Sequence, residues 1–128
     1  MGLYNLGWIG LLQDDLGRAA DLYRESLTLS WETGLNPLVQ MALEGFACVA
    51  GAKGEAQRAA RLWGAAQALH EMKGIPRDPD FLGEAEARMS AVRLGMGEEA
   101  WQEAWHKGRV TTLDEAVSYA LKEEEASG

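Results

Sequence analysis

Apolar residues recur along this chain at the three- and four-residue spacing of helices, and almost nowhere in the alternation a strand needs. Seven helices follow from that pattern. The first, residues 3–13, is apolar nearly all round, carrying Leu3, Tyr4, Leu6, Trp8, Ile9, Leu11 and Leu12. A helix with so little polar face expects partners on more than one side. Asp14 and Asp15 turn the chain into a second helix, 16–33, which stops at Gly34, a residue that adopts the left-handed cap without strain. Asn36-Pro37 opens the third, with Asn as cap and Pro in the first turn, where its missing donor costs nothing. Lys53-Gly54 ends that helix, and a fourth, 55–73, closes on Gly74. Beyond the Pro-rich loop 74–80, Asp78-Pro79 starts a fifth helix reaching Leu94, with Gly95-Met96-Gly97 as its break. A short sixth helix, 98–107, sets Trp101 and Trp105 on one face. Residues 108–111 read as a turn. Thr112-Leu113-Asp114-Glu115 is then a capping box for a seventh helix, with Leu113, Ala116, Val117, Ala120 and Leu121 on its apolar side.

The pattern also repeats. Sliding the chain by forty residues sets Asp15-Leu16-Gly17-Arg18-Ala19-Ala20 on Glu55-Ala56-Gln57-Arg58-Ala59-Ala60. Leu3 falls on Leu43, Leu6 on Phe46, Gly7 on Ala47, Leu22 on Leu62, Tyr23 on Trp63, Leu29 on Leu69 and Gly34 on Gly74. The spacing Leu6-Gly7, Ala19, Tyr23 resembles the tetratricopeptide pattern, and Phe46-Ala47, Ala59, Trp63 is a looser copy. The resemblance implies an all-α, tetratricopeptide-like helical repeat, in which antiparallel helix pairs form part of a right-handed solenoid. Residues 1–74 would supply two such pairs. Residues 75–128 would form a C-terminal helical cap of the same domain, in which Trp101, Trp105, Leu113 and Val117 close the last apolar face.

Two further stretches narrow the resemblance. One is EGFACVAGAKGEAQRAARLWGAAQALHE, residues 44–71. The other is the order Leu94-Gly95, Trp101, Ala104-Trp105, Gly108-Arg109, Thr112-Leu113-Asp114-Glu115-Ala116-Val117, Ala120-Leu121. Both resemble the C-terminal part of large bacterial signal-transduction ATPases with tetratricopeptide-like repeats, many of which carry a LuxR-type helix-turn-helix. The phosphate loop and the DNA-reading helices of such regulators have no counterpart in this sequence. The resemblance therefore implies the repeat module alone, a segment that senses or holds partners. An apolar first helix without a preceding cap adds the expectation of a fragment cut from a longer repeat array. The other reading is a helix buried by its own domain. The fragment reading brings a homodimer through the N-terminal helix, with Tyr4, Trp8, Ile9, Leu11 or Leu12 covering one another.

Composition changes the picture in three places. A net charge of −8 argues against direct nucleic-acid contact. No uncharged apolar run is long enough for a membrane span, the N-terminus lacks a secretory pattern, and the single cysteine, Cys48, fits a reducing, cytoplasmic setting. His70, His106 and Cys48 make no metal-ligand spacing, and Ser26, Ser30, Ser90 and Ser118 have no adjacent base, so no enzyme, metal or cofactor is expected. Trp63, Trp101 and Trp105 read as core before ligand cage, because repeat packing already accounts for their spacing.

The expected role is a non-catalytic interaction or sensor module of a transcriptional regulator, taking a protein, a peptide, upstream domains of the same chain or a small-molecule effector. Its concave face should be lined by Tyr4, Trp8, Leu11, Met41, Glu44 and Cys48, with ordinary interhelical packing as the competing reading. The alternative is a stand-alone tetratricopeptide scaffold or adaptor unrelated to transcription. A clamp for acidic peptide tails needs Lys, Arg and Asn on that face and is rejected. A small enzyme would need two convergent carboxylates, for which Glu84, Glu86, Glu98 and Glu99 are the available residues.

Overall fold

The computed structural model describes residues 3–34, 36–73 and 79–126, with side chains for 7–34, 39–72 and 79–121. Its seven helices are α1 (Leu3–Leu12), α2 (Leu16–Thr33), α3 (Asn36–Ala52), α4 (Ala56–Lys73), α5 (Pro79–Met96), α6 (Glu98–Arg109) and α7 (Leu113–Ala126). No strand occurs among the described residues. Asp15 caps α2 through its carboxylate, which accepts the Arg18 N–H at 3.3 Å. Gly34 ends that helix at φ 74°, donating its N–H to the Ser30 carbonyl. The Thr112–Glu115 capping box is formed as expected: the Glu115 N–H donates to Thr112 Oγ1 at 3.2 Å, and the Thr112 N–H donates to Glu115 Oε1 at 3.1 Å. The caps read at Gly74 and Asp78 lie outside the described residues.

The forty-residue register recurs in the backbone bonding of the turns from α1 to α2 and from α3 to α4. Asp14 and Gly54 occupy matching places, both with positive φ, 61° and 85°. The Asp14 N–H donates to the Leu11 carbonyl and the Gly54 N–H to that of Gly51, each at 3.1 Å. One residue on, Asp15 bonds Gly10 at 2.8 Å and Glu55 bonds Ala50 at 2.9 Å. An aspartate tolerates the left-handed region better than most side chains, which explains why the first copy manages without glycine.

α1 with α2, α2 with α3 and α3 with α4 pack as successive neighbours. The Tyr23 ring of α2 lies between two glycines. A Cβ on Gly7 of α1 would stand 3.1 Å from the ring, and one on Gly45 of α3 would stand 2.3 Å from it. Their missing side chains leave the slot that the ring fills, and Tyr23 is fully buried. Ala19 and Ala59 are also fully buried, beside Tyr23 and Trp63 respectively in the sequence register. Ala59→Leu is expected to overpack this contact at a cost of about 1–3 kcal/mol, read as a lowered urea midpoint. An unchanged midpoint would show spare room at that crossing.

The third helix pair departs from the first two. α6 makes its most extensive contact with α4 and only a minor one with its chain neighbour α5. A Cβ on Gly64 would lie 2.1 Å from the Trp105 carbonyl oxygen, and one on Gly108 would lie 1.9 Å from that of Arg61. Two glycines let the backbones touch. This corrects part of the reading of residues 108–111 as a turn: α6 continues through Gly108, whose role is close approach, and Arg109, and the turn itself is confined to 110–111. Gly95 likewise lies within α5, and the break falls at Gly97 alone, with φ 91°.

α7 packs on α4, α2 and α3, burying Ala116, Val117 and Ala120. Arg58 of α4, itself buried, donates to the Ala120 carbonyl at 2.8 Å and to that of Tyr119 at 3.4 Å. The Arg61 guanidinium lies 4.2 Å from the centre of the Tyr119 ring, a cation–π contact that adds to the anchor.

Candidate functional site

The face expected to bind a partner is largely covered from within. Trp8 is half-buried and meets Phe81 of α5 edge-on, with ring centroids 4.7 Å apart. Leu11, Glu44 and Cys48 are closed to solvent, and Met41 is half-buried. Tyr4 lies outside the residues whose side chains are described. α5 is the covering element, since Val92 and Met89 approach α3 at Gly51. Leu11, Glu44 and Cys48 are therefore not presented to a partner in this arrangement. Burial pushes the Cys48 thiol up to about 12, against the opposing pull of the Arg88 guanidinium, so it is not a nucleophile in this arrangement. On α1 the exposed apolar residues with described side chains are Ile9 and Leu12, while Trp8 and Leu11 face inward.

A cleft of about 230 Å³ opens instead where α4, α5 and α6 meet. α4 contributes Trp63 and Gln67, α5 contributes Glu86, Met89, Ser90 and Arg93, and α6 contributes Trp101, Gln102 and Trp105. The spacing explains the grouping. Trp63/Gln67, Glu86/Ser90, Met89/Arg93 and Trp101/Trp105 are each four residues apart, which sets each pair on one helix face. Trp63 and Trp101 are almost wholly buried and form the floor, in keeping with the core role read for them. Trp105 is part-exposed, and its indole N–H donates to Gln67 Oε1 at 2.9 Å.

Arg93 lines this cleft, and Arg109 lies outside its lining, against the Trp105 ring. Arg93 donates through Nε and a terminal nitrogen to both carboxylate oxygens of Glu98, and its guanidinium lies 5.8 Å from the centre of the Trp101 ring. Arg109 is bidentate to Glu71 at 2.7 and 3.0 Å, and lies 4.8 Å from the centre of the Trp105 ring. The hydrogen bonds from Arg93, and then from Gln102, hold the Glu98 carboxyl down at about 2, from an ordinary 4.5. A carboxylate with a depressed folded pKa contributes stability that is present above its unfolded value and is lost as pH falls toward the folded one. Both carboxylate and guanidinium are exposed, so the contribution is small and screened by salt. The carboxyl carbon shift of Glu98, followed by NMR from pH 6 to pH 2, is expected to titrate well below the ordinary glutamate value of 4.5. Arg93→Gln should return it to the ordinary range, and an unchanged midpoint would show that Arg93 is not the cause.

Sequence reasoning singled out the three indoles and named Glu86 only among candidate paired carboxylates, but missed Gln67 and Arg93, although the four-residue spacings were available. What it lacked was the placement of α6 on α4, which alone brings the three faces together. Among the described residues no group of three or more His, Cys, Asp or Glu side chains is placed to hold a metal. No described helix is long and apolar enough to cross a membrane.

No family model matches the chain, and no solved structure does. Similarity does appear to proteins of Mycobacterium bovis and of two strains of Mycobacterium tuberculosis that are provisionally named HTH-type transcriptional regulators. Each is 35% identical over 81 residues, which is 63% of this chain and 9% of the relative. Most of this all-helical chain is thus similar to one short segment of much longer proteins that bear a regulator's name.

Proposed function

We propose that this chain is a non-catalytic interaction or sensor module of a transcriptional regulator, built as a tetratricopeptide-like segment. The observation that carries the reading is the 81-residue similarity to HTH-type regulators. The matching bonds of the turns at Asp14 and Gly54 support the repeat part of it. The same holds for the small residues at the crossings around Tyr23. The LuxR-type, signal-transduction ATPase context belongs to the proposal and rests on the residues of segments 44–71 and 94–121. Contact with DNA is not assigned to this segment, whose charge is −8.

Transcript profiling tests the reading in cells that carry the gene. Three strains are compared: wild type, a deletion, and one with the chromosomal substitution Gly108→Val, which disrupts the α4–α6 crossing. The expected result is a defined set of altered transcripts shared by the deletion and the substituted strain. An unaltered profile in the deletion strain would remove the regulator role. A profile altered by the deletion alone would separate this segment from that role.

A further inference from the structure

We propose that the cleft between α4, α5 and α6 binds a hydrogen-bond-rich organic cation on an apolar stem, the chemistry of an arginine side chain. This names a ligand class for the module proposed above and rests on that reading for its biological setting. The polar groups of the cleft decide the charge. An indole N–H only donates, so Gln67 must turn its oxygen to Trp105. Gln102 donates through its amide nitrogen to the Glu98 carboxylate at 2.9 Å, which leaves its own carbonyl oxygen as an acceptor. Arg93 is already neutralised by Glu98. Glu86 has no ion-pair partner among the described residues, so the cleft holds one uncompensated negative charge together with the Gln102 carbonyl and the Ser90 hydroxyl.

The apolar groups decide the shape. Trp63, Trp101 and Met89 make a nearly dry floor against which a short alkyl stem loses its hydration. Indole rings attract cations over their faces. In this chain Trp101 and Trp105 already carry guanidinium groups in that way, from Arg93 and Arg109. An acceptor-rich rim above an indole floor selects a group with many N–H donors and a positive charge. A neutral isostere gains the same contacts with the floor but not the charge-assisted bonds.

Two sources share this chemistry, a free guanidinium compound and an arginine within a peptide. Titration of the intact chain, followed by tryptophan fluorescence and by amide shifts of residues 63–67 and 101–105, tells them apart. The probes are argininamide, the blocked tripeptide Ala-Arg-Ala, and the citrulline counterpart of each. The expected result is saturable binding of the arginine probes, with the citrulline probes weaker by roughly tenfold or more. Glu86→Gln should remove most of that preference while leaving the thermal unfolding curve unchanged, since Glu86 is exposed. Tighter binding of the tripeptide than of argininamide would assign the site to a peptide, and equal binding to a small molecule. Equal affinity for citrulline and arginine probes overturns the proposal. So does the absence of saturation with either arginine probe, or a preference that Glu86→Gln leaves intact. None of these failures touches the transcript test, which does not depend on the cleft.

Discussion

Gly108→Ala is expected to destabilise the fold by about 3 kcal/mol or more, the upper end of the range for overpacking. Helix propensity alone predicts the opposite sign, since alanine is favoured over glycine inside a helix by about 1 kcal/mol. The clash decides. The new Cβ would stand 1.9 Å from the Arg61 carbonyl oxygen and 3.0 Å from the Ala65 nitrogen. Both are backbone atoms of α4, which cannot rotate away as a side chain can, so the helices must separate. Separation would also pull Trp105 from Gln67 and Arg109 from Glu71, widening the cleft. Gly64→Ala meets the Trp105 carbonyl at 2.1 Å and should cost a similar amount. The double variant should cost clearly less than the sum, because one separation accommodates both methyl groups. Urea unfolding of the two single variants and the double variant measures all three terms. A loss below about 1 kcal/mol for Gly108→Ala would mean that the backbones are not in contact there.

Tyr23→Ala is expected to cost about 3–5 kcal/mol, the range for removing a buried aromatic ring. Gly45→Ala alone should cost about 1–3 kcal/mol, since its Cβ would enter the ring at 2.3 Å. The informative measurement is the pair. With the Tyr23 ring gone, the methyl group on residue 45 enters vacated space and gains alanine's helix preference. Gly45→Ala should then be neutral or stabilising in the Tyr23→Ala background. Additivity within about 0.5 kcal/mol would show that the two residues do not share one slot.

These two crossings also mark where the sequence could be read and where it could not. Gly34, Asp15 and Thr112–Glu115 act through bonds to residues three or four positions away, so local pattern located them. Tyr23 was legible in part, because the forty-residue shift paired it with Trp63 and Gly7 with Ala47, whereas Gly45, the tighter wall of its slot, stood out in no pattern. Gly108 was not. A glycine that breaks a helix and one that admits a neighbouring backbone are the same letter, and only the position of α4 tells them apart. The face around Glu44 and Cys48 failed for the same reason. Its openness depended on α5, whose packing against α3 lies beyond any local pattern. The cleft was half legible: its indoles stood out by type, whereas Gln67 and Glu86 look like ordinary solvated positions until three helices converge.

The attachment of α7 has a consequence for how freely its sequence can vary. Arg58 grips the carbonyls of Tyr119 and Ala120, atoms that every amino acid presents alike. The grip is therefore indifferent to most of the letters on the helix it holds. Ala116, Val117 and Ala120 are constrained by volume, and Tyr119 by its stacking under Arg61. Asp114 and Ser118, both exposed, answer only to helix propensity. A saturation scan of residues 113–121 should return tolerance at Asp114 and Ser118, and constraint at those four positions, at Glu115 of the capping box, and at Leu113 and Leu121, which pack on the core. Intolerance at a single distant residue, Arg58, would carry the rest of the attachment.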